Sequence, residues 1–153
     1  MLEFRKLQLS DRQRVHALLF GAHRRGCEYS FANLYFWLMQ SGEVAFCDDY
    51  LVCRMCWGGQ CSYLYPAGSG DIYPVLEAMR QDAMGQNIPF ILRSVTEDDR
   101  KVLEEIYPEK FRFVEHRDSF DYLYPVEKLA DLAGKKLQAK RNHINRFTAE
   151  HPN

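Results

Sequence analysis

The sequence predicts an α/β (α+β) fold in which a mixed β-sheet is flanked by helices, and three observations predict it. Short strand-type runs recur at 44–47, 50–56, 61–65 and 89–93. Segments of helical periodicity stand before, between and after them, and Gly- or Pro-containing breaks separate the two kinds. Such a mixture excludes a helix bundle and a sandwich, and favours one sheet covered by helices. With 153 residues, 46% apolar and 14% aromatic, the chain has the material for a real core, and a domain of this size buries roughly two-thirds of its unfolded surface.

In order, Phe4-Arg5-Lys6-Leu7 reads as a first short strand. Ser10 and Gln13 have capping-box spacing and open a helix over 11–21 whose apolar face uses Val15, Leu18 and Leu19. Ser30 caps a second helix, 31–40, stopped at Ser41-Gly42. That helix is apolar on nearly every side, through Phe31, Leu34, Tyr35, Phe36, Trp37, Leu38 and Met39; a helix of this kind is normally buried between layers or against another domain.

Strands 44–47, 50–56 and 61–65 follow, the last two joined by Trp57-Gly58-Gly59-Gln60 as a hairpin. Pro66-Ala67-Gly68-Ser69-Gly70 breaks the sheet. Pro74 suits the first turn of a helix over 74–84, because its missing N–H is not needed there. A strand at 89–93 leads to a helix over 97–106 capped by Thr96 and ended by Tyr107-Pro108. Further strands are expected at 111–115 and 120–123, then a short helix 126–133 closed by Gly134, and a last helix from Leu137.

The net charge of −1 hides an asymmetry: Lys135–Arg146 carries five cations and no acid, while residues 1–134 sum to −5. An anionic partner would meet the basic segment first. No apolar run approaches the ~18–20 residues of a membrane span. Five cysteines, an odd number, with no apolar signal region after Met1–Lys6, predict reduced thiols and a cytoplasmic protein.

Few residues carry explicit chemistry. Cys53-Arg54-Met55-Cys56 has Cys-x-x-Cys spacing, but residues three apart in a strand leave opposite faces and no second pair completes a zinc site; structural cysteines are the expected reading. His16, His23, His116, His143 and His151 show no metal spacing. No metal and no cofactor are predicted. Gly68-Ser69-Gly70 before a helix has the makings of an anion cradle, with a plain strand-to-helix loop the commoner meaning.

Asn33 and Trp37, four apart, share a helix face beside Tyr29 and can line a pocket; alternatively Ser30 simply caps and Asn33 satisfies a backbone group. In the basic segment Leu137 and Ile144 share a stripe flanked by Lys136, Lys140 and His143 on one side and Arg141 and Asn145 on the other. The functional reading is anion binding, bidentate for Arg141; the ordinary one is a solvated face.

Taken together, 27–37 (Cys-Glu-Tyr-Ser-Phe-Ala-Asn-Leu-Tyr-Phe-Trp) and the segment Gly134-Lys135-Lys136-Leu137 with Lys140-Arg141-Asn142-His143-Ile144-Asn145-Arg146-Phe147 resemble a bacterial family of unknown function related to the C-terminal domain of phosphatidylglycerol lysyltransferase. The resemblance implies an acetyltransferase-like (GNAT-like) fold and a protein of two tandem lobes. Relatives of that family transfer an aminoacyl group from charged tRNA. It further implies that 1–134 is the first lobe and 135–153 a basic inter-lobe helix leading toward a second lobe. The usual Gln/Arg-x-x-Gly-x-Gly/Ala pyrophosphate loop of coenzyme A enzymes is missing, which counts against coenzyme A as a cofactor.

On this reading Lys140 and Arg141 hold an anionic group, Asn142 and Asn145 orient it, and Tyr29, Asn33 and Trp37 border the cleft. The expected partners are a second lobe or a second copy of the chain, with an aminoacyl-tRNA or other acyl donor. The main rival is a non-catalytic assembly module that uses helix 31–39 and the basic segment as a protein interface. A nucleic-acid arm is third.

Overall fold

The structure is a computed structural model that describes residues 2–152. The chain divides into two compact units, 1–115 and 116–153. In the first unit the helices are α1 (Arg12–Gly21), α2 (Phe31–Ser41), α3 (Tyr73–Gly85) and α4 (Glu97–Ile106), and the strands are β1 (Gly42–Cys47), β2 (Tyr50–Trp57), β3 (Gln60–Leu64), β4 (Ala67–Gly68) and β5 (Leu92–Arg93). The second unit holds α5 (Val126–Asp131) and α6 (Gln138–Glu150).

The sheet runs β1-β2-β3-β5, with β4 paired to β2. The first three strands are antiparallel neighbours and β5 joins β3 in parallel, which makes the sheet mixed. The β2–β3 turn has positive φ at both Gly58 and Gly59, the backbone that a two-residue hairpin turn requires and that glycine adopts freely.

Alternation along the strands sends side chains into two cores. Val44, Leu51, Cys53 and Leu64 pack with Val15 and Leu19 of α1 and Phe31, Leu34 and Leu38 of α2. Ala45, Val52, Tyr63 and Tyr65 pack with Val75, Leu76 and Met79 of α3 and Leu103 of α4. Because the sheet is covered on both faces, β2 is buried at four successive positions, 50–53, and reads as an unbroken apolar run. Each fully buried aliphatic side chain contributes about 1.5–3 kcal/mol.

Several sequence expectations change. Segment 4–7 makes only an isolated bridge, Arg5 to Val44. The helix start at α1 is organised by Asp11, not by Ser10 and Gln13: its carboxylate accepts the Gln8 N–H at 2.8 Å and pairs with Arg5 at 2.7 Å. The expected break at 66–70 contains β4, since Ala67 and Gly68 lie against Leu51 and Tyr50. Of the strand expected over 89–93, only the last two residues join the sheet.

Segments 111–115 and 120–123 form no strand. Phe111 and Phe113 pack against the second core, so their alternating pattern records burial, not ladder pairing. Helix α5 stops at Leu132, itself left-handed at φ 49°, two residues before Gly134.

The cysteines are not all reduced. The antiparallel register sets Cys56 opposite Cys61, with Cα atoms 3.9 Å apart, and the two form a disulfide. Cys53 is buried on the helix-α2 side of the sheet, and burial pushes its thiol up to about 12. Ser30 and Thr96 cap α2 and α4 as their spacing predicts, accepting from Asn33 N and Asp99 N, both at 3.3 Å.

Candidate functional site

Tyr29 and Asn33 are held by the backbone around them. The Tyr29 hydroxyl donates to the Tyr65 carbonyl at 3.0 Å, and Asn33 Nδ2 donates to the Cys27 carbonyl at 3.0 Å. Asn33 therefore satisfies a backbone group, the ordinary alternative for that residue. Trp37, one turn on, is 61% exposed.

Sequence reasoning missed the group that surrounds Tyr29. Arg24, in the loop after α1, makes a bidentate ion pair with Asp99 of α4 at 2.5 and 2.9 Å. Its guanidinium lies 4.6 Å from the Tyr65 ring and 5.3 Å from the Tyr29 ring. Both partners of the pair are about 12% exposed. Burial works to lower the Arg24 pKa, but the hydrogen bonds it donates to Asp99 and its electrostatic interactions with Tyr29, Asp99 and Tyr65 outweigh it, and the net shift is upward. Asp99 also accepts from Thr96 N at 2.9 Å and Thr96 Oγ1 at 2.7 Å. One carboxylate thus caps α4 and clamps the α1–α2 loop. No local pattern signals a pairing across 75 residues.

A second network crosses the sheet edge. Arg54 bridges Glu43 at 2.7 Å and Asp82 at 2.8 Å beneath the Phe4 ring, and Tyr63 donates to Asp82 at 2.5 Å. Burial first, then the hydrogen bond to Asp82, raise the Tyr63 pKa. Every charge named here has an opposite charge beside it, the pattern of a structural network.

In the second unit Lys140, Asn142 and Asn145 are exposed on α6, and Arg141 is partly covered. Arg141 Nη1 donates to the Leu132 carbonyl and, at 3.0 Å, to the Gly134 carbonyl. These bonds tie α6 to the end of α5 and commit one of the two terminal nitrogens of the guanidinium.

The remaining candidates are structural. In the loop before α3, Ser69 N donates to Asp49 O at 3.3 Å and Tyr73 N to Asp71 Oδ1 at 3.0 Å. Asp71 thus puts a carboxylate at the helix start, where an anion cradle would need open N–H groups. An open pocket of about 240 Å³ is lined by Glu104, Tyr107, Pro108, Glu109, Phe111 and Phe113. Arg100 already pairs with Glu104 and covers the Phe113 ring, which cancels much of its attraction for a cation.

The family described as "Phosphatidylglycerol lysyltransferase, C-terminal" matches residues 20–152. The chain belongs to this phosphatidylglycerol lysyltransferase C-terminal family. A solved structure similar to it is a conserved protein of unknown function from Bacteroides thetaiotaomicron VPI-5482, with 40% identity and a TM-score of 0.86. The similarity covers 100% of this chain and 52% of that one, so the chain spans about half the length of its family relative. No curated protein matches. Among the described residues no helix is long and apolar enough to cross a membrane.

Proposed function

We propose that the chain is the first lobe of a two-lobed aminoacyl- or acyl-transferase-like protein of GNAT-like fold, contributing to a cleft for an anionic substrate and not catalytic alone. The observation that carries this reading is the match of the whole chain to 52% of a protein 40% identical to it. Membership of a family named for a lysyltransferase supports acyl transfer as the chemistry, and the donor proposed for it is an aminoacyl-tRNA. In this reading the lobe extends to residue 134 and the segment 135–153 leads toward the second lobe.

The run of five cations without an acid supports an anion-facing role for that segment. Lys140, exposed on α6, takes the lead. Arg141, oriented by its bonds to Leu132 and Gly134, offers its remaining N–H groups, and Asn142 and Asn145 supply neutral donors and acceptors. Tyr29 and Asn33, fixed by their backbone hydrogen bonds, are the residues of the first unit assigned to substrate binding.

The test is binding of unfractionated charged tRNA, by filter retention across a salt series, to the 153-residue chain and its Lys140→Ala variant. Loss of one phosphate contact should weaken binding and flatten the log–log salt slope by about 0.7–0.9. An unchanged slope and affinity would remove Lys140 from the site. The second reading, an assembly module, is favoured by one specific observation: α2 carries exposed aromatics and no charge.

A further inference from the structure

Helix α2 is unusual in what it shows to solvent. Its inward face is complete, with Phe31, Leu34 and Leu38 all buried. Its outward face nonetheless carries Phe36 at 70%, Trp37 at 61% and Met39 at 55% exposure. Not one of the twelve residues from Phe31 to Gly42 is charged. Helix α4 has the opposite surface, with Glu97, Asp98, Arg100, Lys101, Glu104 and Glu105 exposed, as expected of a helix with one solvated face.

The α2 face is also rigid. Ser30 caps the first turn, and Lys6 Nζ donates to the carbonyls of Leu38, Met39 and Gly42, at 2.9 Å for the last. With both ends tied and the inner face packed, the helix has no easy rotation that would hide Phe36 and Trp37.

The size of the patch selects its occupant. At ~150–250 Å² per aromatic side chain, Phe36 and Trp37 expose roughly 200–330 Å² between them, and Met39 extends the strip. That is the scale of the largest, often functional, apolar patch on a monomer. It is less than half of the ~800 Å² per partner that a stable free-standing interface buries, so a second copy docked on this patch alone would not hold. A neighbouring domain in the same polypeptide is different, because its effective concentration is about millimolar and a small contact suffices. The relative of known structure has such a remainder, since this chain accounts for 52% of it.

We propose that the outward face of α2, built from Phe36, Trp37 and Met39, is the docking surface for a second folded lobe, equivalent to the unmatched part of the longer relative. The surface that meets it is apolar and poor in charge, because a carboxylate or ammonium pressed against this face would lose its water and find no partner. This inference rests on the two-lobed reading and adds to it the place where the lobes meet.

Hydroxyl-radical footprinting tests it, comparing this 153-residue chain with the intact Bacteroides thetaiotaomicron protein. Phe36, Trp37 and Met39 should label readily in this chain. The aligned positions of the longer protein should label about tenfold more slowly, as side chains in a packed interface core exclude solvent. Equal labelling in the two proteins overturns the docking surface. Light scattering of this chain over a concentration series supplies the second measurement: a monomer is expected. A dimer that Trp37→Ser dissociates would make a second copy the occupant and overturn the proposal. Neither readout involves Lys140 or tRNA, so failure here leaves the test of the substrate cleft intact, and failure there leaves this one.

Discussion

Removing the Asp99 carboxylate should damage the first unit more than any other single change at a charged residue. Asp99→Ala removes the anion beside the Arg24 guanidinium, which lies between two tyrosine rings on a side chain about 12% exposed. Breaking one side of a buried ion pair costs about 3–5 kcal/mol. The same substitution removes the acceptor for Thr96 N and Thr96 Oγ1, and loss of a helix cap costs about 0.5–2 kcal/mol. The expected total is about 3.5–7 kcal/mol, a large share of the ~5–15 kcal/mol by which a domain is stable.

Two controls separate these contributions. Thr96→Ala should cost only the cap, about 1 kcal/mol. Arg24→Met/Asp99→Ala should recover part of the single-mutant loss, because no orphaned charge remains. The assay is urea unfolding followed by tryptophan fluorescence, since both tryptophans, Trp37 and Trp57, lie in the first unit. An Asp99→Ala loss below about 1 kcal/mol, or a double mutant whose loss equals the sum of the singles, would refute the burial of the pair, since coupled neighbours show interaction energies of ~0.5–3 kcal/mol.

Two further outcomes are expected. The Glu77 carboxyl is held down to about 2 by hydrogen bonds from Arg80 and then from the Tyr107 hydroxyl at 2.6 Å. The folded state therefore binds this proton less tightly than the unfolded state, whose carboxyl keeps its ordinary 4.5. Its stabilising effect is full above that value and is lost as pH falls toward 2. The difference in melting temperature between wild type and Glu77→Gln should shrink across that window, and a pH-independent difference would count against the pairing. Gly68→Ala should be destabilising by about 1–3 kcal/mol, as overpacking usually is. A Cβ there would stand 2.0 Å from the Asp49 carbonyl oxygen and 2.8 Å from Tyr50 Cα, backbone that cannot move aside without opening the β2–β4 pairing. A melting temperature equal to wild type would refute that packing.

What could be read from the sequence was what is decided within a few residues. Ser30 and Thr96 announce their helices because a cap works across three positions. Gly58-Gly59 announces its hairpin because two successive positive φ values leave few other residues. Helix α2 announces its excess of apolar surface because twelve residues pass without a charge. The same locality explains the errors. The alternation at Phe111 and Phe113 specifies which side is buried and is silent on whether a ladder forms, and Leu132 takes the left-handed position expected of Gly134.

The basic segment was visible as a charge run, and so was the family to which the chain belongs. The sequence alone determined the mixed α/β class, the capped helices, the hairpin and the charge asymmetry. Tertiary structure alone decided that Arg24 meets Asp99 between Tyr29 and Tyr65, that Asn33 spends its amide on Cys27, that Arg141 anchors a turn, and that Cys56 faces Cys61. The physical reason is range: caps, turns and periodicity act along the chain, whereas ion pairs, ring contacts and strand register depend on which distant segments the folded core brings together.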